Sequence, residues 1–349
     1  MSNIDVRICR FKNDALFAFS MTYDEGTVDC LANALPIHER FNIPGHVDVV
    51  AGQLGRKRNC YLSSLNDYVH MSADDLKFLL NKGWGVGNHS WSHYCFPASP
   101  GLNMFREIVW SKYRLEDEID YPVRIFTVCN DMYNYESVLD LVKQHYLACV
   151  SVEGGPNREG YDFYNIGNCM LASGGFKERP GWPNELRLEN LSLDFVKDSW
   201  VLLTTHLVMW DVPQSHKCTT PLYLTRYFEK LYEISEGNFW AVKPDDAIDY
   251  ELMRRNIRIE NVECEENRIR FDMNGSWPVG VINSMVTVKI SGVSIDPHTA
   301  KVNTSFSITS GGFTGHNKTE SIKRKGADTL INIEAVPGKK VEIVWNPIG

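Results

Sequence analysis

The sequence predicts an α/β fold in which parallel strands build a layer or barrel, followed by a small all-β unit. Three observations carry this expectation. Through about the first 255 residues, short apolar runs alternate with stretches of helical periodicity, the pattern of strands joined by crossover helices. Acids and histidines recur where those runs stop, and parallel α/β sheets gather ligands at the carboxyl ends of their strands. From about Ile257 the texture shifts to short alternating segments separated by Gly, Asn, Pro and Ser, which reads as a sandwich. The expected domains are residues 1–255 and 256–349.

Taken in order, residues 15–21 are an apolar run read as a buried strand, ending in Thr22-Tyr23-Asp24-Glu25-Gly26. Read blandly, the two acids open the next helix, expected over 28–41, where negative charge favours the dipole. Residues 46–51 read as the second strand. Ser72-Ala73-Asp74-Asp75 is a capping box opening a helix with Leu76, Leu79 and Leu80 on one face. The next strand, 84–88, delivers His89 and His93. A helix over 102–119, a strand over 123–128, a helix over 136–145 and a strand over 148–152 repeat the unit.

Residues 153–190 read as a long irregular loop, and loops of that length usually carry function. Its Tyr161, Phe163, Tyr164 and Trp182 suggest a substrate cover. The strand 200–205 ends in His206, which alone reads as a structural histidine. A helix over 219–235, a strand over 239–242 and a helix over 244–254 close the first domain. In the second, strands are expected near 262–264, 268–271, 286–290, 305–308 and 341–345. Packing or homo-oligomer contacts are its default role, with glycan binding a weaker one.

Composition narrows the function classes. A formal charge of −8 over 349 residues argues against a nucleic-acid partner, because phosphate neutralisation needs a basic surface. Nine tryptophans and fifteen tyrosines suit either large cores or carbohydrate grooves. The first ten residues lack the apolar stretch of a secretory signal, and no run is long enough for a membrane span. Nine scattered cysteines without a Cys-x-x-Cys pair indicate neither a thiolate zinc site nor a disulfide framework. A reducing cytoplasm is the simplest expectation.

Asn88-His89-Ser90-Trp91-Ser92-His93 is the stretch with the most chemistry in it. Two imidazoles four residues apart can converge on one divalent ion, although such spacing more often marks a polar loop or one face of a helix. Together with Thr22-Tyr23-Asp24-Glu25-Gly26 and Leu202-Leu203-Thr204-Thr205-His206, in this order, it resembles the motifs of the polysaccharide deacetylase family, the carbohydrate esterases that share the NodB homology domain. The resemblance runs from about Ala15 to Arg255. It implies a distorted (β/α) barrel and a hydrolase that removes an acetyl group from an N-acetylated sugar or glycan precursor with one divalent metal, Zn2+ first. Asp24 would be the base that activates water, and Glu25, His89 and His93 the metal ligands. His206 would be the acid that protonates the leaving amine.

The chain departs from the family pattern twice. Glu25 stands where the family has a second Asp, and Thr127 stands where it has the arginine that orients the base. Backbone near Asn130 is a candidate oxyanion donor, Asp131 and Asp162 are candidate orienting groups, and Trp182 a candidate substrate contact. The departures keep a second hypothesis open: a catalytically inactive relative that binds carbohydrate or acts structurally.

Overall fold

The structure is a computed structural model that describes residues 4–59, 65–93, 103–129, 136–151, 154–173, 183–213, 216–306 and 319–346. Contacts divide the chain into two units, Phe17–Asp245 and Met1–Leu16 with Asp246–Gly349. The chain begins with β1 (Asp5–Ile8), a strand of the second unit. The first unit then runs β2 (Ala18–Glu25), α1 (Leu35–Phe41), β3 (Gly45–Val49), α2 (Ala73–Asn81), β4 (Gly85–Asn88), α3 (Ser111–Ile119), β5 (Ile125–Thr127) and α4 (Glu136–His145). It continues through β6 (Ala148–Val150), β7 (Cys169–Met170), α5 (Leu193–Val196), β8 (Trp200–Thr205), α6 (Pro221–Ser235), β9 (Trp240–Ala241) and the first residues of α7 (Pro244–Asn256).

The strands of this unit form one curled parallel sheet in the order β6-β5-β4-β3-β2-β8-β7, with β9 beside the start of β2. It is the expected distorted (β/α) barrel. Every residue of β2 is buried, as a central strand covered on both faces requires. The helices stop where the chain can turn: Asn42, Asp120 and Glu236, the residues after α1, α3 and α6, take left-handed backbone. Ser72 and Asp75 make the anticipated capping box, each side chain bonding the other's backbone N–H. The helices expected over 28–41 and 102–119 each begin with a wider π-type turn, at Cys30–Ala34 and Arg106–Trp110.

The segment expected to be a substrate cover has another role where it is described. Ser151 N–H donates to Ile166 O at 2.8 Å and Ile166 N–H to Cys149 O at 3.0 Å, while β7 pairs with β8. Residues 157–170 therefore bridge β6 to β8 and extend the barrel wall. Tyr161 packs on Trp200 and Phe163, and the Tyr164 hydroxyl donates to Tyr146 O, so these rings serve the wall.

The second unit has two antiparallel sheets. β1 joins β12 (Met285–Ser291), β15 (Asp328–Glu334) and β14 (Thr319–Lys325); β10 (Ile257–Glu265), β11 (Arg268–Gly275), β16 (Lys339–Val344) and β13 (Lys301–Phe306) form the other. Alternate residues such as Ile269, Phe271 and Met273 of β11 and Val286, Val288 and Ile290 of β12 are buried, the period-two pattern of a sandwich. The sequence expectation counted residues 1–16 with the barrel and placed the boundary at 255. In the structure the N-terminal residues belong to the sandwich, because β1 pairs with β12 (Val6 opposite Ile290) and Lys289 binds Asp14 at 2.9 Å. No helix among the described residues is long and apolar enough to cross a membrane.

The glycines of β4 show how tightly the barrel interior is filled. A Cβ on Gly85 would lie 2.4 Å from His46 Nδ1 and 2.6 Å from Asp245 Oδ2; one on Gly87 would lie 2.2 Å from Asp48 Oδ1. These neighbours are buried and paired, so they cannot swing aside. Gly87→Ala should therefore destabilise the barrel by about 1–3 kcal/mol, the usual cost of overpacking. Denaturant unfolding measures it; an unchanged midpoint would contradict this packing.

Candidate functional site

The parallel register brings the chemistry to one edge. Asp24 on β2 lies opposite Asp48 on β3, which lies opposite Gly87 on β4; one step on, Glu25 lies opposite Val49, and Val49 opposite Asn88. β8 pairs with β2 up to Thr205, so His206 follows at the same edge. The edge is made of unusual backbone. Glu25, Ser90 and His93 all have positive φ (80°, 68° and 57°), a costly choice for residues with a Cβ, and such residues gather at functional sites. The Glu25 turn is held by buried His70, whose Nδ1–H donates to Glu25 O at 2.7 Å. The His89–His93 turn is held by Ser90 Oγ, which accepts from His93 N–H, and by buried Glu107, which accepts from the N–H and hydroxyl of Ser92.

Glu25, His89 and His93 converge: one ligand atom from each lies within 4.8 Å of the others, and all three are buried. His89 Nδ1–H donates to Thr127 O at 2.9 Å, which fixes the ring and turns Nε2 away from that carbonyl. His93 Nε2 lies 3.1 Å from Glu25 Oε1. That contact lacks hydrogen-bond alignment, and among the described residues Glu25 Oε1 accepts no hydrogen bond. Burial, with Arg58 contributing, lowers His89 to about 4; burial and then His89 hold His93 well below the ordinary histidine range. Two neutral imidazoles and a carboxylate oxygen without a proton donor are the donor set a divalent cation takes. The residues present fit such an ion.

Asp24 is buried and accepts from the Thr204 hydroxyl at 2.9 Å. Desolvation, then the neighbouring Asp48 charge, raise its pKa to about 7, against the lowering effects of the Thr204 bond, Arg58 and His46. His206 is half-buried, with its Nδ1 at 3.2 Å from Lys217 O. Burial first, then Lys217, His89 and Arg58, hold it well below the ordinary histidine range, so it rests neutral. The His206 charge contributes to the lowering of His93, and the His89 charge to the lowering of His206. Asn130, Asp131 and Trp182 lie outside the described residues. Asp162 accepts from Tyr164 N–H in its own turn.

Two groups escaped the sequence reading. Arg58, only 2% exposed, pairs with Glu25 Oε2. It comes from the segment between β3 and α2, as does His70. The clue was a basic Arg56-Lys57-Arg58 run just past a strand end in an acidic chain. The second is a buried charge chain: His46 lies 3.4 Å from both Asp48 and Asp245, and Arg124 lies 3.6 Å from Asp245. Those spacings are ion-pair rather than short hydrogen-bond distances.

Residues 16–149 match the sequence model of a family described as polysaccharide deacetylase. No curated protein matches the chain at a significant level. Among solved structures, the chain is similar to a family 4 acetyl xylan esterase from Clostridium thermocellum in complex with a cobalt ion, at 17% identity over 68% of this chain and 91% of that one, with a TM-score of 0.41. It is similar to the Xyl-CE4 domain of a multidomain xylanase from the hindgut metagenome of Trinervitermes trinervoides (14% identity, 67% and 90% covered, TM-score 0.40). A polysaccharide deacetylase from Bacillus cereus is also similar (16% identity, 42% and 44% covered, TM-score 0.33). The chain spans under half the length of the Bacillus cereus protein and of a Bacillus anthracis relative.

The charge chain makes stability depend on pH. Asp48 and Asp245 together raise His46 from 6.5 to about 9 despite its burial. A raised histidine contributes stability that is full below its unfolded pKa and is lost as pH climbs through the folded one. Unfolding midpoints should therefore fall between about pH 6.5 and pH 9, and His46→Gln should flatten that limb. An alkaline slope unchanged in the variant would assign the loss to other groups.

Proposed function

We propose that this chain, whose residues 16–149 are a polysaccharide deacetylase-family segment, is a metal-dependent hydrolase that removes an acetyl group from an N-acetylated sugar or glycan precursor. The observation that carries the reading is the convergence of Glu25, His89 and His93 at the edge that also bears Asp24 and His206. Glu25, His89 and His93 would hold the ion, and two imidazoles with a carboxylate favour Zn2+. A bound divalent ion supplies Lewis acidity, which an amide carbonyl needs for attack by water.

The chain's own residues account for the proton movements. Asp24, with an affinity for protons near neutral pH, takes one from the attacking water while the Thr204 hydroxyl keeps its carboxylate oriented. His206 is held by Lys217 O, rests neutral, and takes up a proton as negative charge develops beside it. It passes that proton, drawn from solvent, to the leaving nitrogen, and Asp24 returns the proton it took, so that water and amide become acetate and a protonated amine. A second reading, a catalytically inactive carbohydrate binder, has one observation in its favour: Arg58 already offers Glu25 a positive partner.

Metal analysis and acetate release separate the two. The enzyme reading expects about one Zn2+ per chain, lost when His89→Ala and His93→Ala are combined, and acetate from N-acetylated sugars. Asp24→Asn should keep the metal and lower kcat by about 10²–10⁴-fold. Protein that carries no metal and releases no acetate from amides or O-acetyl esters would sink the proposal.

A further inference from the structure

The structure assigns Arg58 as the positioning residue of the cation site: it clamps Glu25 Oε2 and leaves Oε1 to the imidazoles. The inference rests on the metal-dependent reading above. It starts from a misfit. A glutamate has one more rotatable bond than an aspartate, so a lone Glu25 would present its oxygens over a wider range of positions, and a ligand set tolerates little of that. Arg58 removes the freedom. Its guanidinium meets Oε2 while Oε1 stays 3.1 Å from His93 Nε2, so each oxygen of the carboxylate has its own role. A planar fork suits this work better than a point charge.

Arg58 is itself rigidly delivered. Its N–H donates to Tyr68 O at 2.6 Å and its carbonyl accepts from Asp67 N–H at 3.0 Å. Lys57 bridges Val69, and His70 of the same return strand holds the Glu25 carbonyl. The segment is seated on the histidine turn: Ala51 N–H donates to Ser90 O, Gly52 N–H to Trp91 O, and a Cβ on Gly52 would lie 2.4 Å from Trp91 O. The segment between β3 and α2 thus ties the backbone of Glu25, the carboxylate of Glu25 and the His89–His93 turn together. At position 127 the backbone still serves His89 through its carbonyl, but the side chain carries no charge.

Titration of metal-free protein with Zn2+ against a chelator tests this without reference to turnover. Arg58→Gln should weaken Zn2+ binding by about 10–100-fold, the range for partners that orient a ligand, and Arg58→Lys should fall between it and the wild type. In a Glu25→Gln background, Arg58→Gln should cause no further loss, a coupling that a merely structural arginine would not show. If either Arg58 variant binds Zn2+ as tightly as the wild type, or more tightly, Arg58 is a bystander or a competitor and the inference fails while the enzyme reading stands. If the wild type binds no Zn2+, both fall. Thermal unfolding of the metal-free variants identifies any that fail to fold, and Arg58→Lys, which keeps the charge, then carries the comparison.

Discussion

The in-register pairing of β2, β3 and β4 is the constraint on which the rest of the structure depends. It places Asp24, Asp48 and Gly87 at one level and Glu25, Val49 and Asn88 at the next. Side chains alternate along a strand, so a slip of one residue would exchange the positions of Asp24 and Glu25 between the two faces of β2. The glycines of β4 follow from the same register. Gly85 and Gly87 are the spaces into which His46, Asp48 and Asp245 fit, so a feature of β4 answers the side chains of its neighbour.

Burying this much charge is tolerable only because it is paired. His46 joins Asp48 to Asp245, with Arg124 on the far side, and Arg58 meets Glu25. Asp24 is treated differently. It has a hydroxyl partner and a carboxylate neighbour, so its affinity for a proton rises where its paired neighbours' charges are balanced. The imidazoles of His89, His93 and His206 are pushed the other way and stay neutral. A carboxylate able to take a proton and imidazoles free of protons thus arise from a single pattern of burial and pairing.

Much of this was legible in the sequence. Asp24, Glu25, His89, His93 and His206 follow apolar runs, and strand ends in a parallel sheet share an edge, so five residues at three distant strand ends could be grouped before any coordinates. Helix ends were readable where the chemistry is local, as at Ser72 and Asp75. Arg58 was not, because its role depends on a partner thirty-odd residues away and on a segment without hydrophobic periodicity. The wall-forming role of residues 157–170 was hidden for the same reason: a two-residue strand and isolated bridges have no period to detect. β14 escaped notice because its Thr-Glu-Ser-Ile-Lys-Arg-Lys sequence is charged, and β1 because its partner lies at the other end of the chain.

The site proposed here has Glu25, His89 and His93 closing on one cation while Arg58 steadies the carboxylate. Anomalous diffraction from crystals grown with Zn2+ addresses that claim at the atoms concerned. A single strong peak is expected about 2.0–2.2 Å from Glu25 Oε1 and from one nitrogen of each imidazole, with Arg58 still on Oε2. Crystals without a peak there, in which Arg58 takes both oxygens of Glu25 and the imidazoles bond elsewhere, would contradict it.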